Sequence, residues 1–114
     1  MKIKISEASG PVLDWLVAKC EGVQVEKIMD LSFWSSANWE MYSTDWAQGG
    51  PIIEREKMTV GMCIGETKWG ADIYAGTGLD IKANRTGPTP LIAAMRCYVA
   101  SKLGTEVEVP EELV

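Results

Sequence analysis

Apolar and polar residues alternate at the N-terminus, where Lys2 and Lys4 interleave with Ile3 and Ile5. A period of two predicts a short strand with one wet face. From Ser9-Gly10-Pro11 onward the spacing changes to three and four. Val12, Leu13, Leu16, Val17 and Cys20 share roughly 140° of arc, which predicts a helix to about Glu21, closed by Gly22. Trp15 falls outside that stripe, either as a cover over a neighbouring loop or as an anchor for a partner. Residues 23–28 read as a second strand. Residues 29–51 hold no sustained period and exceed the usual connection of about 4–6 residues. They carry Phe33, Trp34, Trp39, Tyr42 and Trp46, so a packed, functional loop is expected there.

Gly49-Gly50-Pro51 predicts a tight turn, with a short strand or helical turn over residues 52–57. Residues 59–64 and 67–75 alternate clearly. Val60, Met62 and Ile64 share one face and Trp69, Ala71, Ile73 and Ala75 another, with Gly65-Glu66 between them, so a hairpin is expected. Residues 76–88 read as a second long loop, containing Gly76-Thr77-Gly78 and Arg85. The longest element follows. Thr89 caps a helix, Pro90 fits its first position and Gly104 ends it. Leu91, Ile92, Met95, Val99 and Leu103 lie within about 120° of arc, with Ala93, Cys97 and Ala100 roughly opposite. The bulky stripe is expected to face a sheet and the small one to admit a close backbone, from this chain or another copy. Arg96, on the border between them, requires a carboxylate or carbonyl partner.

The helix-Gly-strand order at Gly22 recurs at Gly104, through either duplication or a shared capping device. Together these elements predict an α+β domain, with a small, mostly antiparallel sheet and two principal helices packed on one face. At 114 residues the chain is expected to form a single domain over 1–114, with 105–114 as an acidic, partly ordered C-terminal tail.

The net charge of −5 is concentrated in that tail: before residue 105 there are 12 acidic and 11 basic side chains, and after it four glutamates. A nearly neutral body without a basic cluster argues against nucleic acid as a partner. Three cysteines and no histidine argue against zinc and against a disulfide framework, and the cysteines read as reduced core residues. No apolar run suggests a signal peptide or a membrane span, so a cytoplasmic protein is expected, and no cofactor is implied.

Candidate chemistry is densest in STDWAQGGPIIERE, residues 43–56. It offers the carboxylate of Asp45, the indole of Trp46, the amide of Gln48, the bare backbone of Gly49 and Gly50, and the charges of Glu54, Arg55 and Glu56. The mixture suits recognition better than catalysis, because no histidine, activated serine or metal cluster stands beside the carboxylates. Glu54, Arg55 and Glu56 read as structural ion pairs, with partner contact and catalysis as alternatives. The helix start at Thr89 offers free N–H groups to an anion, but an ordinary capped start is the plainer reading.

Three blocks, residues 43–56, Trp69-Gly70-Ala71 and GPTPLIAAMRCYVASKLG at 87–104, together resemble a small phage-encoded family, the NinX-type proteins of the nin region, also found in prophages. The resemblance implies phage origin, residence in a bacterial cytoplasm and an accessory role, and it transfers no catalytic residue. The favoured expectation is a non-enzymatic binding module. Its site is formed by residues 43–56 near Thr89, with Arg96 paired to Asp45, Glu54 or Glu56, and it takes a small ligand or a host or phage protein. The alternatives are a homo-oligomer joined through Ala93, Cys97 and Ala100 or through Trp15, and a small enzyme acting on a nucleotide or peptide.

Overall fold

A computed structural model of the chain describes residues 1–23, 41–65, 67–75 and 80–111. Residues 24–28 of the strand expected at 23–28, the aromatic stretch Phe33, Trp34 and Trp39, Glu66 of the hairpin connection, Gly76-Thr77-Gly78 and residues 112–114 lie outside them. In chain order the elements are β1 (Lys2–Lys4), a 3-10 turn (Ile5–Glu7), α1 (Gly10–Cys20), α2 (Trp46–Arg55), β2 (Thr59–Met62), β3 (Trp69–Ala75), β4 (Asp80–Gly87), α3 (Pro90–Leu103) and β5 (Glu106–Glu108). The fold is α+β, as the periodicity implies.

Both expected helices stand where their capping residues place them. α1 closes in a Schellman motif: the N–H of Val23 donates to Ala18 O at 3.0 Å and that of Gly22 to Lys19 O at 3.2 Å, with Gly22 at φ +90°. α3 begins with Thr89 Oγ1 accepting the N–H of Ile92 at 3.1 Å and ends at Gly104, also at φ +90°.

Among the described residues the strands form two antiparallel sheets where one was expected. β1 pairs with β5, setting Lys2 opposite Glu108, Ile3 opposite Val107 and Lys4 opposite Glu106. Opposed charges on the wet face and apolar residues on the dry one are what cross-strand pairing rewards. Much of the supposed tail is therefore built into the fold. β2, β3 and β4 form the other sheet in that order, with Val60 opposite Ala71 and Met62 opposite Trp69, as the alternation predicts. β4 occupies most of what reads as the second loop. Its register with β3 runs from Trp69 opposite Gly87 to Ala75 opposite Asp80, shifted once between Ile73 and Tyr74. Ile81 and Ala83 are its only apolar side-chain-bearing residues, too few to display a period of two.

α3 packs on β3 and β4, and also against α1 and α2. The assignment of its faces departs in part from the expectation. The small residues meet the sheet: a Cβ at Gly87 would lie 2.9 Å from the backbone N of Ala93, and the thiol of Cys97 approaches Ala83 O at 3.4 Å. Leu91, from the bulky stripe, meets Gly49 of α2. Gly87 and Ala83 project almost nothing from β4, so the helix settles close there, with Ile92 Cγ2 also 3.0 Å from where a Cβ at Gly87 would lie. Ala93 and Cys97 are fully buried there and Trp15 is 3% exposed. Neither Trp15 nor the Ala93–Cys97 part of the small-residue stripe is free to join two copies.

Candidate binding groove

α2 replaces the loop expected around residues 43–56. Asp45 is its N-cap: Oδ1 accepts the N–H of Ala47 at 2.9 Å, while Oδ2 accepts Nε2 of Gln48 at 3.1 Å. Gln48 Oε1 in turn accepts the N–H of Met41 at 2.9 Å. Asp45 and Gln48 are thus committed to closing the helix start, a variant of the capping box. Gly49 is required for a close approach within the chain. A Cβ there would sit 2.4 Å from Tyr42 O and 2.6 Å from Leu91 Cδ1, whereas at Gly50 the nearest atom is 3.9 Å away. The approach is made by the protein's own backbone and Leu91.

This packing brings the starts of α2 and α3 together. Ser43, Thr44 and Trp46 on one side and Thr89, Pro90, Leu91 and Ile92 on the other line a groove of about 210 Å³. Trp46 is 55% exposed, against 3% for Trp15. The wall at Ser43 is pinned from below, where its N–H donates to Asp14 Oδ1 at 2.8 Å and its hydroxyl lies beside the same carboxyl. Burial pushes the Asp14 carboxyl above the usual range, against the opposing pull of Ser43.

Each helix start is already capped, Asp45 accepting the N–H of Ala47 and Thr89 that of Ile92. With the Asp45 carboxylate at one of them, the groove is a poor receptor for an anion. Its exposed surface is indole, proline and aliphatic carbon with a few hydroxyls, which suits an apolar or aromatic group.

Arg96 is not part of this groove. Its Nε donates to Ala8 O at 2.7 Å and its Nη1 to Thr86 O at 3.0 Å, so its partners are carbonyls and not Asp45, Glu54 or Glu56. The reason is angular. At about 100° per residue, Leu91 and Tyr98 point the same way toward α2, and Arg96 lies roughly 140° round from Leu91. Partial burial away from a carboxylate lowers its pKa, although a guanidinium stays charged regardless.

The acidic and basic residues at the end of α2 serve a different junction. Arg55 grips Glu21 with two hydrogen bonds, Nη1 to Oε1 at 3.0 Å and Nη2 to Oε2 at 2.6 Å, and reaches Glu56 through Nε at 3.0 Å. The Tyr98 hydroxyl donates to Glu21 Oε2 and accepts from Arg55 Nη2 at 3.1 Å. Lys102 adds an ion pair with Glu56 at 3.8 Å and sits 5.9 Å from the centre of the Tyr98 ring. This clasp ties α1, α2 and α3 together, and Glu54 stands exposed outside it.

Hydrogen bonds from Arg55 hold the Glu21 carboxyl below its usual range, and burial, with the Glu21 carboxylate beside it, pushes the Tyr98 phenol well up. One group stays ionised and the other neutral around pH 7, so neither is poised as a general acid or base. Glu21 and Tyr98 escaped the sequence reading. A glutamate after a helix and a tyrosine within one carry no signal until their helices are docked.

Among the described residues no three His, Cys, Asp or Glu side chains converge on a common point, and no helix is long and apolar enough to cross a membrane. Of the expected site residues, Trp46 and Thr89 line the groove, Asp45, Gln48 and Gly49 build its wall, Gly50 lies behind Trp46, and Glu54, Arg55, Glu56 and Arg96 lie elsewhere. The family model described as "Bacteriophage P22, NinX" matches residues 4–102. Among curated proteins none matches the chain.

Proposed function

We propose, for a chain that belongs to the bacteriophage P22 NinX family, that it is a non-enzymatic binding module of phage or prophage origin acting in the cytoplasm of the bacterial host. The groove between the starts of α2 and α3 takes up an apolar or aromatic side chain of a partner protein. One observation carries this reading. Trp46 leaves more than half its surface exposed at the mouth of a preformed groove, while the buried Trp15 shows that the fold is able to hide an indole. Exposed aromatic residues beside apolar pockets are characteristic interface anchors. An enzyme acting on a nucleotide or peptide has less support, since both helix starts are capped and the clasp holds Glu21 ionised and Tyr98 neutral around pH 7.

An NMR titration with N-acetyltryptophanamide and N-acetylphenylalaninamide tests the groove. The amide signals of Thr44, Thr89 and Ile92 should shift saturably in the wild type and remain still in Trp46→Ala, with Glu54→Ala behaving as wild type. Shifts elsewhere, or shifts unchanged in Trp46→Ala, would overturn the reading.

A further inference from the structure

β2 is an edge strand. Its register places β3 on one side, and among the described residues no strand lies on the other. Soluble proteins usually protect such an edge with lysine, proline, a bulge or a covering segment, because its unpaired N–H and C=O groups attract further strands. Among the described residues this edge has none of these. Residues 58–65, MTVGMCIG, contain no charge and no proline, in a chain of net charge −5. Met62 is 70% exposed and Ile64 fully so, the two most exposed large apolar side chains of the described fold.

The ladder determines which amides point outward. The N–H of Cys63 donates to Lys68 O at 3.1 Å. Alternation in an antiparallel pair then turns the backbone groups of Gly61 and Thr59 toward β3 and those of Val60 and Met62 away from it. Val60 and Met62 flank Gly61 symmetrically. A two-fold axis through Gly61 therefore sets Val60 of one copy against Met62 of the other, twice, and matches each donor to an acceptor without offset. It sets Gly61 against Gly61, where no side chain obstructs. It also lays the exposed Met62 over the half-buried Val60 and brings Ile64 beside the half-buried Met58.

We infer that β2 pairs antiparallel with β2 of a second copy about Gly61, giving a continuous six-stranded sheet. The self-complementary apolar strip, with exposed Met62 and Ile64 falling on half-buried Val60 and Met58, selects the second copy as occupant. Two chains each carrying −5 repel across most facing surfaces, and this strip brings no like charges together. A self-paired edge also satisfies the donor and acceptor pattern with one sequence, so the contact is isologous and closes at two.

Sedimentation equilibrium over a wide concentration range should show a reversible monomer–dimer exchange. Met62→Lys leaves the β2–β3 ladder intact and places two cations in the pairing, so it should weaken the dimer at least about tenfold, a change of about 1.4 kcal/mol. Circular dichroism checks that this variant is folded. Trp46→Ala, which alters the groove, should dimerise as wild type. Hydrogen exchange on the unmodified protein supplies an independent reading. The Val60 and Met62 amides should exchange more slowly at high concentration than at low, and that of Gly61 at one rate in both. A monomer at every concentration, a dimer indifferent to Met62→Lys, or Val60 and Met62 amides insensitive to concentration would each overturn the pairing.

Discussion

Gly49 and Gly50 are neighbours with opposite constraints. A methyl group at 49 would overlap a backbone oxygen that cannot move without displacing Tyr42, whereas one at 50 meets only an ordinary van der Waals contact. Gly49→Ala should destabilise the protein by about 2–3 kcal/mol, within the range for overpacking. Gly50→Ala should be neutral or stabilise by up to about 1 kcal/mol, since alanine restricts the unfolded chain and favours the helix. Urea titration of the pair checks this, and equal effects would remove the distinction. Asp14 offers a second contrast. Its carboxyl is buried and its pKa raised, so the folded state holds the proton more tightly than the unfolded one. The stability it contributes is present at acid pH and lost as pH rises from the unfolded value near 3.8 through the folded one. Asp14→Asn keeps the acceptor for Ser43 N–H and removes the ionised form. Its melting temperature should therefore exceed wild type at pH 7 and converge with it toward pH 4. Sequence alone makes both glycines look like one flexible turn, because close approach is a property of what arrives from elsewhere in the chain.

At the scale of elements, legibility followed capping and periodicity. α1, α3 and the β2–β3 hairpin could be read because Pro11, Gly22, Thr89, Pro90, Gly104 and the alternation about Val60 and Ala71 act locally. α2 could not, since Gly49, Gly50 and Pro51 lower its intrinsic preference, and Asp45 and Gln48, which cap its start, read instead as recognition chemistry. β4 was hidden by its sparse apolar content. The groove was legible in part: residues 43–46 and 89–92 do meet, but the cation thought to draw them together lies on another flank of α3. What links α1, α2 and α3 through side chains is the clasp of Glu21, Arg55 and Tyr98. The Glu21 carboxyl has a lowered pKa, so its stabilisation is present above the unfolded value near 4.5 and lost as pH falls through the folded value. Glu21→Gln should cost on the order of 1 kcal/mol at pH 7, a modest figure because Arg55 is half exposed and water screens the pair. The deficit should shrink as pH falls below about 4, and thermal melts at pH 7 and 3.5 would register an opposite trend as a failure of the assignment.

Taken whole, the molecule is arranged around α3. β3 and β4 cover one side of it, α1 and α2 others, and seven of its residues are buried. An amphipathic stripe is the usual signature of a surface helix, and a helix enclosed on several sides lacks one. Such a helix cannot detach while its surroundings stay folded, so opening it requires disrupting both the sheet contact and the helical layer. Cys97 sits within it, with no exposed surface and a thiol pushed up to about 11 by burial and the nearby Asp72. Cys20 and Cys63 are only partly covered. A thiol-specific reagent therefore meets two cysteines near the surface and a third that becomes reachable only as the whole structure comes apart. The protein thus carries, in one sulfur atom, a chemical clock for its own unfolding.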